Sequence, residues 1–197
     1  MRVFVAGASG VIGVRLVPLL VAAGHAVAGM TRSPAKVETL RDLGAEPVVC
    51  DAFDAGALRA VVVAFQPEAV VNELTDLPDK PAAISEGNAR IRREGTRNLL
   101  AAAKAAGATR FIAQSVAWQL SGDAGAAVRE LERLVLAAAG VVLRYGRLYG
   151  PGTYYESEKP EPPRVHVDEA ARRTVVALDA ASGIVEVADR GPRESPT

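Results

Sequence analysis

The side chains best suited to moving protons lie close together in the second half of the chain. All four tyrosines fall within eleven residues, at Tyr145, Tyr149, Tyr154 and Tyr155, and His166 follows them. A phenol can hold or protonate a substrate, and an imidazole changes its charge near neutral pH. We therefore expect an aromatic pocket, with Tyr149 and His166 as candidate proton-transfer groups. A structural role is the alternative for each, and it is the favoured interpretation of Tyr145.

Glycine recurs at every third position in residues 7–13, between the apolar run Val3–Ala6 and a helical pattern. Gly7 permits a tight turn, Gly10 lets the backbone approach a phosphate, and Gly13 allows the helix to pack on the strand. Because the N-terminus of a helix binds anions, the pattern predicts a site for the pyrophosphate of a nicotinamide dinucleotide. A glycine-rich turn without a ligand is the alternative. The predicted binding residues of this turn are Gly7, Ser9, Gly10, Val11, Ile12 and Gly13.

The end of the second predicted strand bears on the choice of dinucleotide. An enzyme that uses NAD usually has an acidic residue there, which binds the ribose 2′-hydroxyl, whereas this chain has Arg32. A guanidinium suits a 2′-phosphate through charge-assisted hydrogen bonds, and Lys36 adds a second cation nearby. The sequence therefore favours NADP, with NAD as the second choice. A solvated turn with ordinary basic residues is the alternative.

Seven short apolar runs rich in valine alternate with longer stretches of helical pattern, and they must position these groups. Strands that are apolar throughout are covered on both faces, and a strand–helix–strand order requires right-handed crossovers. The sequence thus predicts an α/β fold, a doubly wound parallel sheet (Rossmann fold) with seven strands in the order 3-2-1-4-5-6-7. A chain of 197 residues fits a single domain over residues 1–197. The predicted strands are Val3–Ala6, Ala26–Met30, Pro47–Cys50, Ala69–Asn72, Arg110–Ala113, Val141–Arg144 and Ile184–Val187, and the predicted helices are about 11–23, 34–43, 54–65, 86–106, 124–138 and 168–181, the last with Asp168 as N-cap.

Two segments rich in proline or glycine, 74–85 and 146–164, interrupt this alternation. In an open parallel sheet, ligands bind beyond the carboxyl ends of the strands. Both segments follow predicted strands, so we expect them to form the substrate side of the site.

Composition excludes several classes of function. The formal net charge is zero, which gives no basis for binding nucleic acid or an acidic membrane surface. The chain has one cysteine, so it can form neither an internal disulfide nor a multi-cysteine metal site, and we expect no metal. It shows neither a signal-peptide pattern nor a run of about 18 apolar residues, and the expected location is the cytoplasm.

The glycine turn has the spacing G-x-x-G-x-x-G, and Gly-Thr-Arg-Asn-Leu-Leu follows at Gly95–Leu100. These motifs resemble the cofactor turn and the G-T-x-N-L-L helix of the extended and atypical short-chain dehydrogenase/reductase superfamily, in particular the NAD-dependent epimerase/dehydratase family. Arg144–Gly152 is similar to its R-x-x-x-x-Y-G-P-G segment, and residues 165–171 resemble I-H-V-D-D-x-A. The resemblance implies that the Asp51 carboxylate contacts the adenine amine. We add Ala52, Leu74 and Thr75 to the predicted cofactor-binding residues.

The chain departs from this family at the catalytic pair, a tyrosine and a lysine four residues apart. The resemblance puts these positions at Ala124 and Val128, and no tyrosine occurs in residues 114–140. A Y-x-x-x-K pattern exists at Tyr155 and Lys159, but it lies in an acidic loop that ends at Pro160. We predict that this second pair is not catalytic.

Other polar residues remain as candidates. The resemblance puts Ser115 at or beside the family's catalytic Ser/Thr position, with a serine that caps the backbone at a strand end as the alternative. Asn88 and Arg92 lie one turn apart on a predicted helix and could face the site. Because Arg93 adjoins them, a solvated basic face is the favoured interpretation.

The leading hypothesis for the function is an NADP-binding epimerase/dehydratase-family enzyme that reduces, epimerises or eliminates from a small biosynthetic intermediate by a non-standard mechanism. One alternative is a catalytically silent dinucleotide sensor or scaffold, and another is a non-redox cyclase or isomerase. Family members usually continue into a C-terminal substrate lobe, so we expect a small substrate or a site completed by a partner. The small residues of helix 86–106 and the wide apolar surface of helix 124–138 predict a homodimer.

Overall fold

The computed structural model describes residues 1–76 and 86–189, and these residues contain a seven-stranded parallel sheet. The order of its strands confirms the predicted doubly wound sheet and its order: 46–49, 26–31, 2–6, 69–72, 110–116, 141–145 and 183–187. Residues 77–85, most of the predicted substrate-side segment 74–85, lie outside the described residues. The strands are β1 Arg2–Ala6, β2 Ala26–Thr31, β3 Glu46–Val49, β4 Ala69–Asn72, β5 Arg110–Val116, β6 Val141–Tyr145, β7 Arg147–Tyr149, β8 Arg164–His166 and β9 Gly183–Val187. The helices are α1 Gly13–Ala22, α2 Val37–Asp42, α3 Ala55–Phe65, α4 Glu86–Arg90, α5 Thr96–Ala105, α6 Gly122–Ala137 and α7 Val167–Val176.

Alternate residues of each strand build two hydrophobic cores, one on each face of the sheet. Val3 and Val5 of β1 pack on the face that α1 and α7 cover, together with Leu16 of α1. Phe4 packs on the opposite face, where Leu99 of α5 and residues of α3 and α6 complete the second core. Successive side chains of a strand point to opposite faces of the sheet, and both faces are covered by apolar side chains of the helices. The strands therefore have continuous apolar runs in their sequences.

The crevice of the sheet lies where β1 has β2 on one side and β4 on the other. The chain runs outward from β1 to α1 and β2 on one side, and it returns through β4 on the other. The carboxyl ends of β1 and β4 pair at Ala6 and Asn72, so the glycine turn and residues 73–76 meet at this crevice. In a doubly wound sheet this is the ligand-binding position.

Three local features differ from the expectation. The predicted helix 86–106 contains a π-helical turn, Ile91–Gly95, between α4 and α5. Segment 146–164 carries β7, which pairs with β8 in a small parallel sheet. The N-cap of α7 is His166, whose Nδ1 accepts the Asp168 N–H at 3.3 Å, so Asp168 stands in the first turn and is not the predicted cap. An imidazole nitrogen here performs the capping that a carboxylate was expected to provide.

No helix among residues 1–76 and 86–189 combines the length and the apolar character that crossing a membrane requires.

Candidate functional site

Backbone packing at the glycine turn leaves no room for a side chain at Gly7 or Gly13. A Cβ atom at Gly13 would lie 2.4 Å from the Gly7 carbonyl oxygen, and one at Gly7 would lie 2.5 Å from the Glu73 carbonyl oxygen. Gly7 also has a φ of 84°, which L side chains rarely adopt. The N-cap of α1, Ile12, has no side chain that bonds the first-turn N–H groups, and the first turn has no acidic residue. The N-terminus of α1 is therefore open to a phosphate.

A cleft of about 220 Å³ lies beside this turn. It brings together nine of the twelve residues that the sequence predicted to bind the cofactor: Gly7, Ser9, Gly10, Arg32, Lys36, Asp51, Ala52, Leu74 and Thr75. Val11, Ile12 and Gly13 continue from the turn into the start of α1. A turn with glycine at positions 7, 10 and 13, a helix N-terminus and an adjoining cleft fit a dinucleotide, with its pyrophosphate at residues 7–13.

Arg32 lies at the mouth of the cleft, with a side chain that is 72% exposed. Its Nη2 pairs with Asp76 Oδ1 at 3.1 Å. Surface ion pairs of this kind contribute at most about 1 kcal/mol, so a phosphate can compete for the guanidinium. Lys36, in the short 3-10 turn that precedes α2, is exposed on the same side.

Asp51 and Ala52 form the opposite wall and are held by local hydrogen bonds. Asp51 Oδ1 accepts the Phe53 N–H at 2.9 Å, and Asn98 Nδ2 of α5 donates to the Ala52 carbonyl oxygen at 2.9 Å. The hydrogen bond from Asn98 gives the asparagine of the G-T-x-N-L-L motif a structural role: it holds the loop after β3, which lines the cofactor cleft.

A buried acid at the end of β4 was missed from the sequence. The Tyr145 hydroxyl lies 2.9 Å from Glu73 Oε1 and 2.6 Å from Thr174 Oγ1, and Thr174 donates to the Ala170 carbonyl oxygen at 2.8 Å. Burial raises the pKa of Glu73 to about 8, and the Tyr145 hydrogen bond opposes this only in part. Burial and the neighbouring Glu73 carboxyl group raise the pKa of Tyr145 well above its usual value. A polar Asn72–Glu73 pair after an apolar strand was the available signal.

Ser115 belongs to a second buried polar group, between β5, β6 and α6. Its hydroxyl donates to Glu132 Oε1 at 2.6 Å, and it does not cap a strand end. Arg144 Nε and Nη2 also donate to Glu132, at 2.8 and 2.6 Å. Burial acts to raise the pKa of Glu132, but the hydrogen bonds from Arg144 and Ser115 outweigh it and lower the pKa. Arg92 faces this group and is only 8% exposed, so the solvated basic face expected for Arg92 is wrong.

Tyr149 and His166 lie together on the small sheet, where β7 and β8 pair them directly. Their rings meet edge to face with centroids 5.2 Å apart, and the Tyr149 hydroxyl donates to Asp189 Oδ2 at 3.0 Å. The three candidate catalytic residues thus do not share a hydrogen-bond network among the described residues: Tyr149 bonds Asp189, His166 bonds the Asp168 N–H, and Ser115 bonds Glu132. The ammonium group of Lys159 lies over the Tyr149 ring, 5.2 Å from its centroid.

One guanidinium connects the dinucleotide turn to the substrate-side segment 146–164. Arg15 Nη1 donates to the Val11 carbonyl oxygen at 2.8 Å, and Nη2 donates to the Pro151 carbonyl oxygen at 2.6 Å. Its Nε donates to Asp168 Oδ1 of α7 at 2.8 Å. The first turn of α1, segment 146–164 and α7 therefore meet at one side chain.

The parallel sheet and its glycine cradle define a Rossmann-type NAD(P)-binding protein. The model of the NAD(P)H-binding family matches residues 7–143, and the chain belongs to that family. A Streptomyces relative named 3-diazoavenalumate denitrifying reductase is 39% identical, over 98% of this chain and 77% of the relative. The NAD(P)-binding domain that the sequence motifs indicated is confirmed, and the named relative is a reductase.

Solved structures with the same fold come from sugar-nucleotide epimerases. The UDP-glucose 4-epimerase of Thermus thermophilus, in complex with NAD, superposes with a TM-score of 0.79 at 21% identity, over 95% of this chain and 78% of that one. The UDP-glucuronic acid 4-epimerase of Bacillus cereus, with UDP-glucuronic acid and NAD, gives a TM-score of 0.77 at 18% identity, over 97% and 78%. At this level of identity the likeness concerns the fold.

Proposed function

We propose that the protein is an NADPH-dependent reductase that removes nitrogen from a small aryl diazo compound. The relative at 39% identity bears a name that describes this kind of reaction. The observation that carries the proposal is the pairing of an intact dinucleotide cleft with Ala124 and Val128 where the family has its tyrosine and lysine.

The substrate class explains why that pair is dispensable. A ketone or a sugar alcohol needs an acid or base beside the reacting oxygen, which the tyrosine normally supplies. An aryl diazonium ion already carries a positive charge and accepts electrons without prior protonation. When bound, NADPH supplies the equivalent of one hydride, so that a diazonium ion and NADPH give the arene, dinitrogen and NADP⁺. An epimerase or dehydratase would still need the missing phenol.

In this proposal the residues of the chain bind the cofactor and the substrate and orient them toward each other. In the proposed complex the first turn of α1 and the glycines hold the pyrophosphate, and Asp51, which lines the cleft, contacts the adenine amine. Arg32 selects the 2′-phosphate of NADPH over NADH. Tyr149 and His166, on the small sheet, form an aromatic wall for the substrate.

The test is the oxidation of NADPH in the presence of 3-diazoavenalumate, followed at 340 nm against the enzyme-free rate. We expect one dinitrogen per NADPH, and deuterium from C4-labelled NADPH in the arene product. The variant Gly10→Val should abolish both signals through loss of cofactor binding. Enzyme that binds NADPH but oxidises none of it, with this substrate or with benzenediazonium ion, would contradict the proposal.

A further inference from the structure

Arg92 is a buried cation in the π-helical turn Ile91–Gly95, and its Nη1 has no hydrogen-bond partner among the described residues. Its neighbours point elsewhere. Arg93 pairs with Asp123 and Glu130 of α6, and Arg90 pairs with Glu94. Desolvation lowers the pKa of Arg92 from its usual value, with only partial opposition from Glu132. A buried guanidinium with an unused donor is unfavourable unless an anion completes it.

The carboxylate that attracts Arg92, that of Glu132, already accepts hydrogen bonds from other donors. Glu132 Oε1 accepts hydrogen bonds from the Ser115 hydroxyl and Arg144 Nε, and Oε2 accepts one from Arg144 Nη2. Glu132 therefore attracts Arg92 through space but directs its oxygens to other donors. The Arg92 Nη1 therefore has donor capacity that no group among the described residues uses.

The position of this cation is on the ligand side of the sheet. Ile91, the preceding residue, lines the dinucleotide cleft, and Ser115 lies near the carboxyl end of β5. Single π-helical turns within helices are frequent at functional sites. Val128, where the family has its lysine, stands one turn before Glu132 on α6, so the cation in this region comes from the neighbouring helix.

We propose that Arg92 binds the carboxylate of the substrate, and that the substrate class is a small aromatic carboxylate. A guanidinium binds a carboxylate through two parallel charge-assisted hydrogen bonds. The inference rests on the proposed function, because the relative's substrate is itself named as a carboxylate. It adds the residue that recognises this group.

The test is calorimetric titration of the NADP⁺-loaded protein with avenalumate, which lacks the diazo group, and with its primary carboxamide. We expect the wild type to bind the acid at least tenfold more tightly than the amide. Arg92→Met should remove this preference, and Arg92→Lys should restore part of it. Arg97→Met is the matched control: this exposed arginine pairs with Glu130, and the variant should keep the full preference.

Thermal unfolding of the same variants separates binding from a structural role. Loss of a buried cation whose Nη1 has no partner should leave the melting temperature of Arg92→Met unchanged or raise it, whereas a structural counter-charge to Glu132 would lower it. Equal affinity of the wild type for acid and amide, absence of binding by both, or the wild-type preference in Arg92→Met would overturn the inference. Because no turnover is measured, failure of NADPH oxidation alone would refute the proposed function and leave the Arg92 result standing. If Arg92→Met does not fold, the wild type and Arg92→Lys decide.

Discussion

Replacing Glu73 by glutamine should change the pH dependence of stability. The folded chain keeps the Glu73 proton up to a pKa of about 8, whereas the unfolded chain releases it near the usual 4.5. Between these values the folded state binds more protons, so the free energy of unfolding falls as the pH rises. A difference of about 3.5 pKa units, at roughly 1.36 kcal/mol each, amounts to about 5 kcal/mol.

Glutamine keeps the shape of the protonated acid and can still accept the Tyr145 hydrogen bond, but it has no proton to lose. The wild type and Glu73→Gln should therefore be similarly stable near pH 4.5. At pH 8.5 the variant should be the more stable protein by several kcal/mol. Urea unfolding, followed by the fluorescence of Trp118, the only tryptophan, measures both curves.

Glu46→Gln, at an exposed position on β3, is the control and should run parallel to the wild type at every pH. Parallel curves for Glu73→Gln and the wild type from pH 4.5 to 8.5 would refute the reasoning. They would mean that Glu73 ionises near its usual pKa in the folded chain, and that the hydrogen bond from Tyr145 outweighs burial.

Three further expectations follow from the site and its surroundings. NADPH should bind roughly tenfold more tightly than NADH, because a charge-assisted contact of Arg32 with the 2′-phosphate contributes about 1.5–3 kcal/mol, less the cost of breaking the Arg32–Asp76 ion pair. In calorimetry, Arg32→Ala should bind NADPH and NADH with equal affinity, and equal affinities of the wild type would rule out the NADP assignment. Tyr155→Phe and Lys159→Met should each lower kcat/KM less than tenfold, under about 1.4 kcal/mol, and a thousandfold loss in both would identify a catalytic dyad. The proposed homodimer should appear in sedimentation at micromolar concentration and dissociate in Leu134→Arg, at a partly exposed position on α6; Leu131 is buried in its own core and is unsuitable for this test. A wild-type monomer would exclude the dimer.

The strands, their order and the dinucleotide turn could be predicted because their signals are local. Valine-rich runs separated by helical periods leave few topologies, and right-handed crossovers select one of them. The cleft residues Gly7–Gly13, Arg32 and Asp51 follow the carboxyl ends of three neighbouring parallel strands. Predicting where these strands end therefore also predicted that the three groups share one cleft. The wide apolar surface of α6 was harder to interpret, since Leu131 and Val135 pack within their own chain.

The buried polar groups could not be predicted because their partners are distant in the chain. Glu73 and Tyr145 are 72 residues apart, and only the pairing of β4, β5 and β6 brings them together. Arg92 lies in the π-helical turn Ile91–Gly95, where the residues do not follow the spacing of an α-helix, and nothing in the sequence indicates such a turn. The one-turn spacing from Asn88 allowed Arg92 to face the site, but the adjoining Arg93 favoured a solvated face. In the folded chain Arg92 is buried, and Arg93 pairs with Asp123.

The Arg15 contacts bear on the order in which ligands add to the protein. A pyrophosphate bound at the turn would fix Val11, one of the three groups that the Arg15 guanidinium contacts. Through Arg15 it would also restrain Pro151 and Asp168. We infer that a bound dinucleotide would stabilise the substrate-side wall that Arg15 already connects to this turn. We expect compulsory-order kinetics with the dinucleotide first, visible as uncompetitive inhibition against NADPH by avenalumate, an unreactive substrate analogue, whereas random addition would give noncompetitive inhibition. Arg15→Met, which cuts all three contacts, should make the addition random.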